Sequence, residues 1–120
     1  METILGKLAY NDDGDYEIQN EDGLVFNLSK VLDYIYTSKL SNQIYLKIMD
    51  GYKILFNESS ILYKNKNAYG EGKYSYSYFI EGNGKLEDIL FDNTDKTLEI
   101  TLFSEAIGEE NYGQFYKKMC

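Results

Sequence analysis

Apolar and polar residues alternate over several short stretches of this chain, and clusters of turn-forming residues separate those stretches. The alternation predicts strands at residues 3–10, 43–49 and 97–102, and the last of these shows the clearest period of two. Asp-Gly pairs at 22–23 and 50–51 are typical of tight hairpin turns. The pattern therefore predicts a chain built largely from β-hairpins.

Weaker versions of the same pattern predict the other strands. These are residues 16–19, 24–28, 52–56, 60–63, 73–80 and 86–91. Residues 64–72, "KNKNAYGEG", are polar and contain glycine, so we expect a loop there. No internal repeat accompanies the strands.

Residues 29–40, "SKVLDYIYTSKL", fit two descriptions. Ser29 is a suitable cap for a short helix in which apolar residues recur at helical spacing. Those apolar residues are Val31, Leu32, Ile35 and Tyr36. The letters "VLDYIYT" also suit a β-strand. We favour the short helix.

These elements predict a mainly β fold, a small antiparallel β-barrel or sandwich built from hairpins, with α+β containing one short helix as the alternative. At 120 residues the chain has the length of one domain. We expect a single β-rich domain over residues 1–104. Residues 105–120 are predicted to be a tail, acidic and then basic, that forms a short helical turn or frays.

Charge limits the classes of partner. The chain has 20 acidic residues and 12 basic ones, all of them lysine, for a net charge of −8. A protein of this charge repels phosphate, which disfavours direct binding to nucleic acid or to an anionic membrane. The acidity favours a basic protein partner, although acidity that merely maintains solubility is an equally good explanation.

The residue inventory excludes most catalytic chemistry. The chain has no histidine, so it has no catalytic triad or dyad of the usual kind. Its one cysteine, Cys120, excludes an internal disulfide, and no phosphate-binding or EF-hand loop has the required spacing. We predict a protein without enzymatic activity, cofactor or metal. A glycosidase, which needs only two carboxylates, stays open.

The stretch "GKYSYSYFIEG" at residues 72–82 places Tyr74, Tyr76 and Tyr78 on one face of a strand. Such a stripe packs in a core or forms an interface, because tyrosine combines apolar area with a hydroxyl that tolerates water. An interface for a basic partner also needs carboxylates around the stripe. The candidate acids are Asp12, Asp13, Asp15, Glu17, Glu71, Glu81, Glu87, Asp88, Asp92 and Asp95.

A small, acidic, histidine-free chain rich in residues with A/T-rich codons resembles the phage and mobile-element inhibitors of bacterial defence, of which the anti-CRISPR proteins are one group. Immunity proteins that neutralise nuclease toxins are similar in size and acidity. The resemblance implies an inhibitor in the bacterial cytoplasm that occupies the basic surface of a nucleic-acid-handling protein, such as a CRISPR effector or a nuclease. A small-ligand or carbohydrate binding module with a tyrosine-lined surface is the alternative. The oligomeric state stays open.

Overall fold

Every strand pairing that the structure describes is antiparallel. The structure, a computed structural model, describes residues 1–38, 42–80 and 86–118. Its strands are β1 (Glu2–Tyr10), β2 (Tyr16–Gln19), β3 (Leu24–Asn27), β4 (Gln43–Asp50), β5 (Lys53–Gly70), β6 (Lys73–Ile80), β7 (Thr97–Phe103) and β8 (Tyr116–Lys118). The helices are α1 (Leu28–Thr37), α2 (Leu86–Asp92) and a 3₁₀ helix (Glu109–Phe115).

The strands form one sheet in the order β6-β5-β4-β7-β1-β2-β3-β8. Within the described ranges β6 and β8 are its two edges, so the sheet is not closed into a barrel. The predicted mainly β fold built from hairpins is confirmed. Its compact form is sandwich-like, because the long strand β5 pairs with β4 through its first half and with β6 through its second half.

One face of the sheet is buried beneath the helices. The strands contribute alternate residues to it, such as Ile44, Leu46 and Ile48 in β4 and Leu98 and Ile100 in β7. These residues form one core cluster with the buried faces of α1, α2 and the 3₁₀ helix. On β1, β4 and β7 the intervening residues of the opposite face are mostly exposed or half-buried, as is common for antiparallel sheets, whereas β2 and β3 are buried on both faces.

The favoured helix in residues 29–40 is confirmed as α1. Its buried face consists of Leu28, Val31, Leu32 and Ile35, and burying each such side chain stabilises the fold by roughly 2 kcal/mol. The predicted cap is wrong: the Oδ1 atom of Asn27, rather than Ser29, accepts a hydrogen bond from the Lys30 amide at 2.9 Å. The helical spacing of the apolar residues in this segment has a larger effect on its conformation than the β-strand preference of its β-branched and aromatic residues.

Residues 86–91 were predicted as a strand, but they lie in helix α2. Leu86 and Leu90 are buried four residues apart, and Glu87 and Asp88 occupy the first turn, where the helix dipole favours acids. The sequence satisfies both a period of two and a period of 3.6. Packing of Leu86 and Leu90 into the core decides for the helix.

The predicted loop at residues 64–72 is also wrong over most of its length. Strand β5 continues to Gly70, and the turn to β6 occupies only Glu71 and Gly72. Strand pairing satisfies the backbone hydrogen bonds of β5 through β6 whatever the polarity of its side chains, so a polar sequence does not prevent a hairpin.

Residues 104–118 pack against the same core as the rest of the chain. Ala106, Ile107, Tyr112 and Phe115 are buried in the core cluster, and β8 adds to the sheet beside β3. The C-terminal segment that was predicted to be a tail contains a 3₁₀ helix and a strand in the described structure.

Gly6 marks the point at which β1 changes partners. Before it β1 pairs with β7, and from Lys7 onward it also pairs with β2. A Cβ atom at Gly6 would lie 2.5 Å from the Gln19 carbonyl oxygen and 2.9 Å from Cγ2 of Ile18. Only glycine lets β2 approach β1 this closely, which allows the sheet to curve over the core.

Candidate functional site at the acidic end

Two tyrosines face each other across the first hairpin. Tyr10 ends β1, Tyr16 begins β2, and the two are paired in the register with ring centroids 4.9 Å apart and ring planes tilted by 52°. Tyr16 is buried, whereas Tyr10 is 57% exposed. The pair therefore presents one aromatic ring to solvent on a fixed support.

The turn between these tyrosines displays two acids. Oδ1 of Asn11 accepts hydrogen bonds of 2.9 Å from the amides of both Asp13 and Asp15, which fixes the turn. Gly14 adopts a φ of +85°, a conformation that glycine takes at little cost. Asp12 and Asp13 are left exposed at the tip.

Asp15 is held by the start of helix α1. The Nδ2 atom of Asn27 donates a hydrogen bond of 3.1 Å to Oδ2 of Asp15, while Oδ1 of the same amide caps the helix. The Tyr16 amide donates to Oγ of Ser29 at 2.8 Å. One buried asparagine thus connects the acidic turn to α1 and limits its movement.

Helix α2 brings a second group of acids to the same place. The pKa of the Tyr16 phenol is raised to about 12, mainly by burial, and the negative charges of Glu87, Asp88 and Asp92 contribute to the same rise. All three carboxylates are therefore within electrostatic range of Tyr16. Acids from two distant parts of the chain share one end of the molecule.

Phe91 exposes an apolar ring beside these acids. It is 72% exposed on α2, and it follows Asp88 by three residues and Glu87 by four, which places all three on adjacent positions of the helix surface. We call this surface the acidic end. It consists of Tyr10, Asp12, Asp13, Asp15, Tyr16, Glu87, Asp88, Phe91 and Asp92.

The fold thus joins six of the ten predicted acids at this end. It adds three aromatic residues that the sequence analysis did not select: Tyr10, Tyr16 and Phe91. The two tyrosines flank the "NDDGD" turn directly, so their position beside a hairpin turn was a usable signal. Phe91 gave no such signal, because its exposure depends on α2 being a helix.

Three other predicted acids lie elsewhere. Glu17 is 5% exposed, and its Oε2 atom lies 3.3 Å from Nζ of Lys117, in an ion pair that lacks hydrogen-bond geometry. Asp95 lies in the turn before β7, 3.8 Å from Nζ of Lys7. Glu71 is exposed in the turn between β5 and β6.

The backbone of β6 confirms the predicted strand at the tyrosine stripe. Tyr74, Tyr76 and Tyr78 are paired with Ala68, Lys66 and Lys64 of β5. Their side chains lie outside the described part of the structure, so neither interpretation of the stripe is tested. Glu81 and Cys120 also lie outside the described residues.

An open groove of about 590 Å³ lies where β1, β2 and β7 meet. It is lined by Leu5, Gly6, Lys7, Gln19, Asn20, Glu21, Asp22 and Thr97. The backbone amides of Asp22 and Leu24 donate to Oδ1 of Asn20 at 3.0 and 2.9 Å, which holds the turn along one wall. Six of the eight lining residues are polar, and none is a tyrosine.

Within residues 1–38, 42–80 and 86–118, no group of three or more His, Cys, Asp and Glu side chains is arranged to hold a metal ion. No helix in these ranges is both long enough and apolar enough to span a membrane. No protein-family model, curated protein or solved structure matches the chain. Functional inference therefore depends on the geometry of the acidic end.

Proposed function

We propose that this chain is a non-enzymatic binding protein that inhibits a nucleic-acid-handling protein by occupying its basic surface. The acidic end is the contact surface, and its carboxylates stand in for the phosphates of the nucleic acid. The partner class is that of CRISPR effectors or nucleases, which the size and acidity of the chain suggest by resemblance.

The observation that carries the proposal is the convergence of two acidic segments around exposed aromatic rings. Carboxylates attract lysine and arginine over a distance, and an exposed ring such as that of Tyr10 binds the same cations at contact. Phe91 supplies apolar area of the kind that anchors interfaces. A basic protein surface is complementary to each of these features.

Rigidity supports the same conclusion. Asn11 holds the backbone of the turn and Asn27 holds the Asp15 carboxylate, so this part of the surface keeps its shape before a partner arrives. Interfaces that are ordered before binding lose less conformational entropy when the complex forms.

The test compares two variants of equal net charge. One carries Asp12→Asn, Asp13→Asn and Asp88→Asn, all at the acidic end. The matched control carries Glu21→Gln, Asp22→Asn and Glu105→Gln, three exposed acids elsewhere. Each variant and the wild type is immobilised and used to capture proteins from a nuclease-treated bacterial lysate, and the captured proteins are identified by mass spectrometry.

We expect the wild type and the control to retain the same nucleic-acid-binding protein, and the acidic-end variant to lose it. The purified partner is then titrated with nucleic acid in the presence of each variant, and only the wild type and the control should compete. Equal capture by all three proteins, or a complex that leaves nucleic-acid binding unchanged, contradicts the proposal.

The groove supports a second candidate, a small-ligand or carbohydrate binding module. Its volume lies in the range of small-molecule sites, and Gln19, Asn20 and Thr97 offer amide and hydroxyl groups to a polyhydroxylated ligand. Binding of a monosaccharide from a panel should raise the melting temperature of the wild type, and Gln19→Ala should abolish that increase. No stabilisation by any sugar of the panel rejects this candidate.

A further inference from the structure

The sheet face opposite the helices carries large apolar side chains where an exposed face ordinarily carries polar ones. Leu5 on β1 is 61% exposed and Ile54 on β5 is 58% exposed, and Phe103 on β7 and Ile61 on β5 are exposed as well. Tyr45 on β4 is half-buried beside Phe103. An apolar area shared by four neighbouring strands indicates a surface that is covered in the working protein.

The strand register places these side chains on one face of the sheet, in rows that also contain charged residues. Leu5, Glu99 and Met49 pair in sequence across β1, β7 and β4, and Met49 pairs with Ile54 of β5. We call this surface the outer face. It consists of Thr3, Leu5, Lys7, Gln43, Tyr45, Lys47, Met49, Ile54, Asn57, Ser59, Ile61, Thr97, Glu99 and Phe103, with Thr101 buried among them.

Charge on the outer face differs from charge on the rest of the molecule. Its acid is Glu99 and its cations are Lys7 and Lys47, while the exposed acids of the β2–β3 turn line the groove at its β1 edge. Lys7 already has Asp95 at 3.8 Å, which leaves one lysine and one glutamate at the centre of the face. In a chain of net charge −8, this balanced centre would repel a second copy less than the acidic surfaces would.

We propose that the outer face is the interface of a homodimer, in which two copies pack sheet against sheet about a two-fold axis. In such an interface both copies use the same patch. Every contact therefore occurs twice: if one residue of the first copy touches a different residue of the second, the same two positions also meet with the copies exchanged. Lys47 and Glu99 lie on adjacent strands two positions apart. A two-fold axis between β4 and β7 brings Lys47 of each copy to Glu99 of the other.

The dimensions suit a weak dimer. Four strands about 4.8 Å apart and about seven residues long cover roughly 450 Å² of flat area on each copy. Because side chains project from the sheet, the solvent-accessible area is larger than this flat area and approaches the roughly 800 Å² that each partner buries in a standard interface. Two sheets packed about 10 Å apart let the apolar side chains interdigitate. We expect a micromolar dissociation constant, and the acidic ends, on the helix-covered side, stay free.

Sedimentation velocity over about 5 to 500 µM protein brackets that affinity and measures the mass directly. The wild type should progress from 13.9 kDa toward twice that mass. The double variant Leu5→Ser/Ile54→Ser should weaken association at least tenfold. Tyr52→Ser, a substitution of a fully exposed tyrosine in the β4–β5 turn, is the matched control and should behave like the wild type.

A charge exchange tests the two-fold contact itself. Lys47→Glu and Glu99→Lys should each weaken the dimer, because each places like charges together, and the double variant should restore it. Circular dichroism confirms that every variant is folded. A wild type that stays monomeric at the highest concentration, a dimer that survives Leu5→Ser/Ile54→Ser, or a charge exchange without restoration overturns the proposal.

Discussion

The acidic end and the outer face both expose large apolar side chains, but their charges differ. The acidic end surrounds Tyr10 and Phe91 with carboxylates from two segments, whereas the outer face carries one acid and one lysine at its centre, between Leu5 and Ile54. Apolar exposure alone therefore does not define the partner. The charge around it selects a basic protein in one case and a second copy of the chain in the other.

The two surfaces also differ in what holds them in place. Side-chain hydrogen bonds of Asn11 hold the backbone of the first turn, and Asn27 holds the Asp15 carboxylate. The outer face is positioned mainly by the register of β1, β7, β4 and β5, with one side-chain contact of 3.2 Å between the Oγ1 atoms of Thr3 and Thr101. The acidic end can thus be altered locally, while the outer face depends on the whole sheet.

The largest expected effect comes from Gly6→Ala, which disturbs both surfaces at once. The added methyl group would lie 2.5 Å from the Gln19 carbonyl oxygen, and because the nearest atoms belong to the paired backbone of β2 they cannot move aside as a side chain could. We expect a loss of about 3 kcal/mol in the free energy of unfolding, measured by urea denaturation.

Gly113→Ala is the control for that substitution, since an added Cβ there meets nothing within 4 Å. It should change the free energy of unfolding by less than about 0.5 kcal/mol. Equal stability of the two variants would show that β2 does not approach β1 as closely as the structure indicates.

Phe91→Ser and Leu5→Ser should separate the two binding functions. Phe91→Ser is expected to weaken partner binding about tenfold and leave self-association unchanged, and Leu5→Ser should do the reverse. Both side chains are mostly exposed, so neither substitution should lower stability appreciably. Surface plasmon resonance with the captured partner and sedimentation velocity measure the two effects. Loss of both activities in either variant would mean that the surfaces are not independent.

Salt should distinguish the surfaces further. Association with the basic partner should slow several-fold as ionic strength rises, because screening removes the attraction between the acidic end and the cations. The dimer dissociation constant should change by less than about threefold, since the outer face is nearly neutral and largely apolar. Stopped-flow kinetics and sedimentation over one salt series provide the comparison, and an identical response of both reactions contradicts it.

The smallest effect concerns the titration of Tyr16. Its folded-state pKa of about 12 exceeds the value of 10.0 for an unperturbed tyrosine, so the stability contributed by the neutral phenol is complete below pH 10 and lost as pH rises toward 12. Removing the α2 charges with Glu87→Gln, Asp88→Asn and Asp92→Asn should lower the Tyr16 pKa. Burial, the larger cause, stays in place.

Tyr116 is the internal reference for that titration. Burial raises its pKa to about 12 as well, but the added charge comes from Glu2. Carbon-13 spectra of the tyrosine rings follow both residues in one sample. A shift of both pKa values, or of neither, would show that α2 does not lie beside Tyr16.

Local pattern predicted much of the sheet correctly. The alternation at 3–10, 43–49 and 97–102 and the Asp-Gly turn at 50–51 correspond to observed strands and a hairpin, because a period of two with turn residues is a local signal. It failed at residues 86–91, where two periods fit equally well. It failed again at 64–70, where pairing with β6 outweighs polar side chains.

The candidate site was partly predictable for the same reason. Acidity and the acidic turn at residues 12–15 are local properties, and so are the acids of residues 87–92. Their convergence is not, because it requires α2 to pack near the first hairpin. Glu17 shows the converse: an acid that looked equivalent to its neighbours is buried against Lys117.

By itself the sequence determined the β-rich class, the hairpin turns, the net negative charge and the absence of histidine chemistry. These depend on residue type and short spacing. The tertiary structure alone decided which acids meet, which aromatic rings stay exposed and which sheet face is left uncovered. Those properties arise from contacts between residues far apart in the chain, and the curvature of the sheet at Gly6 and the packing of α2 create them.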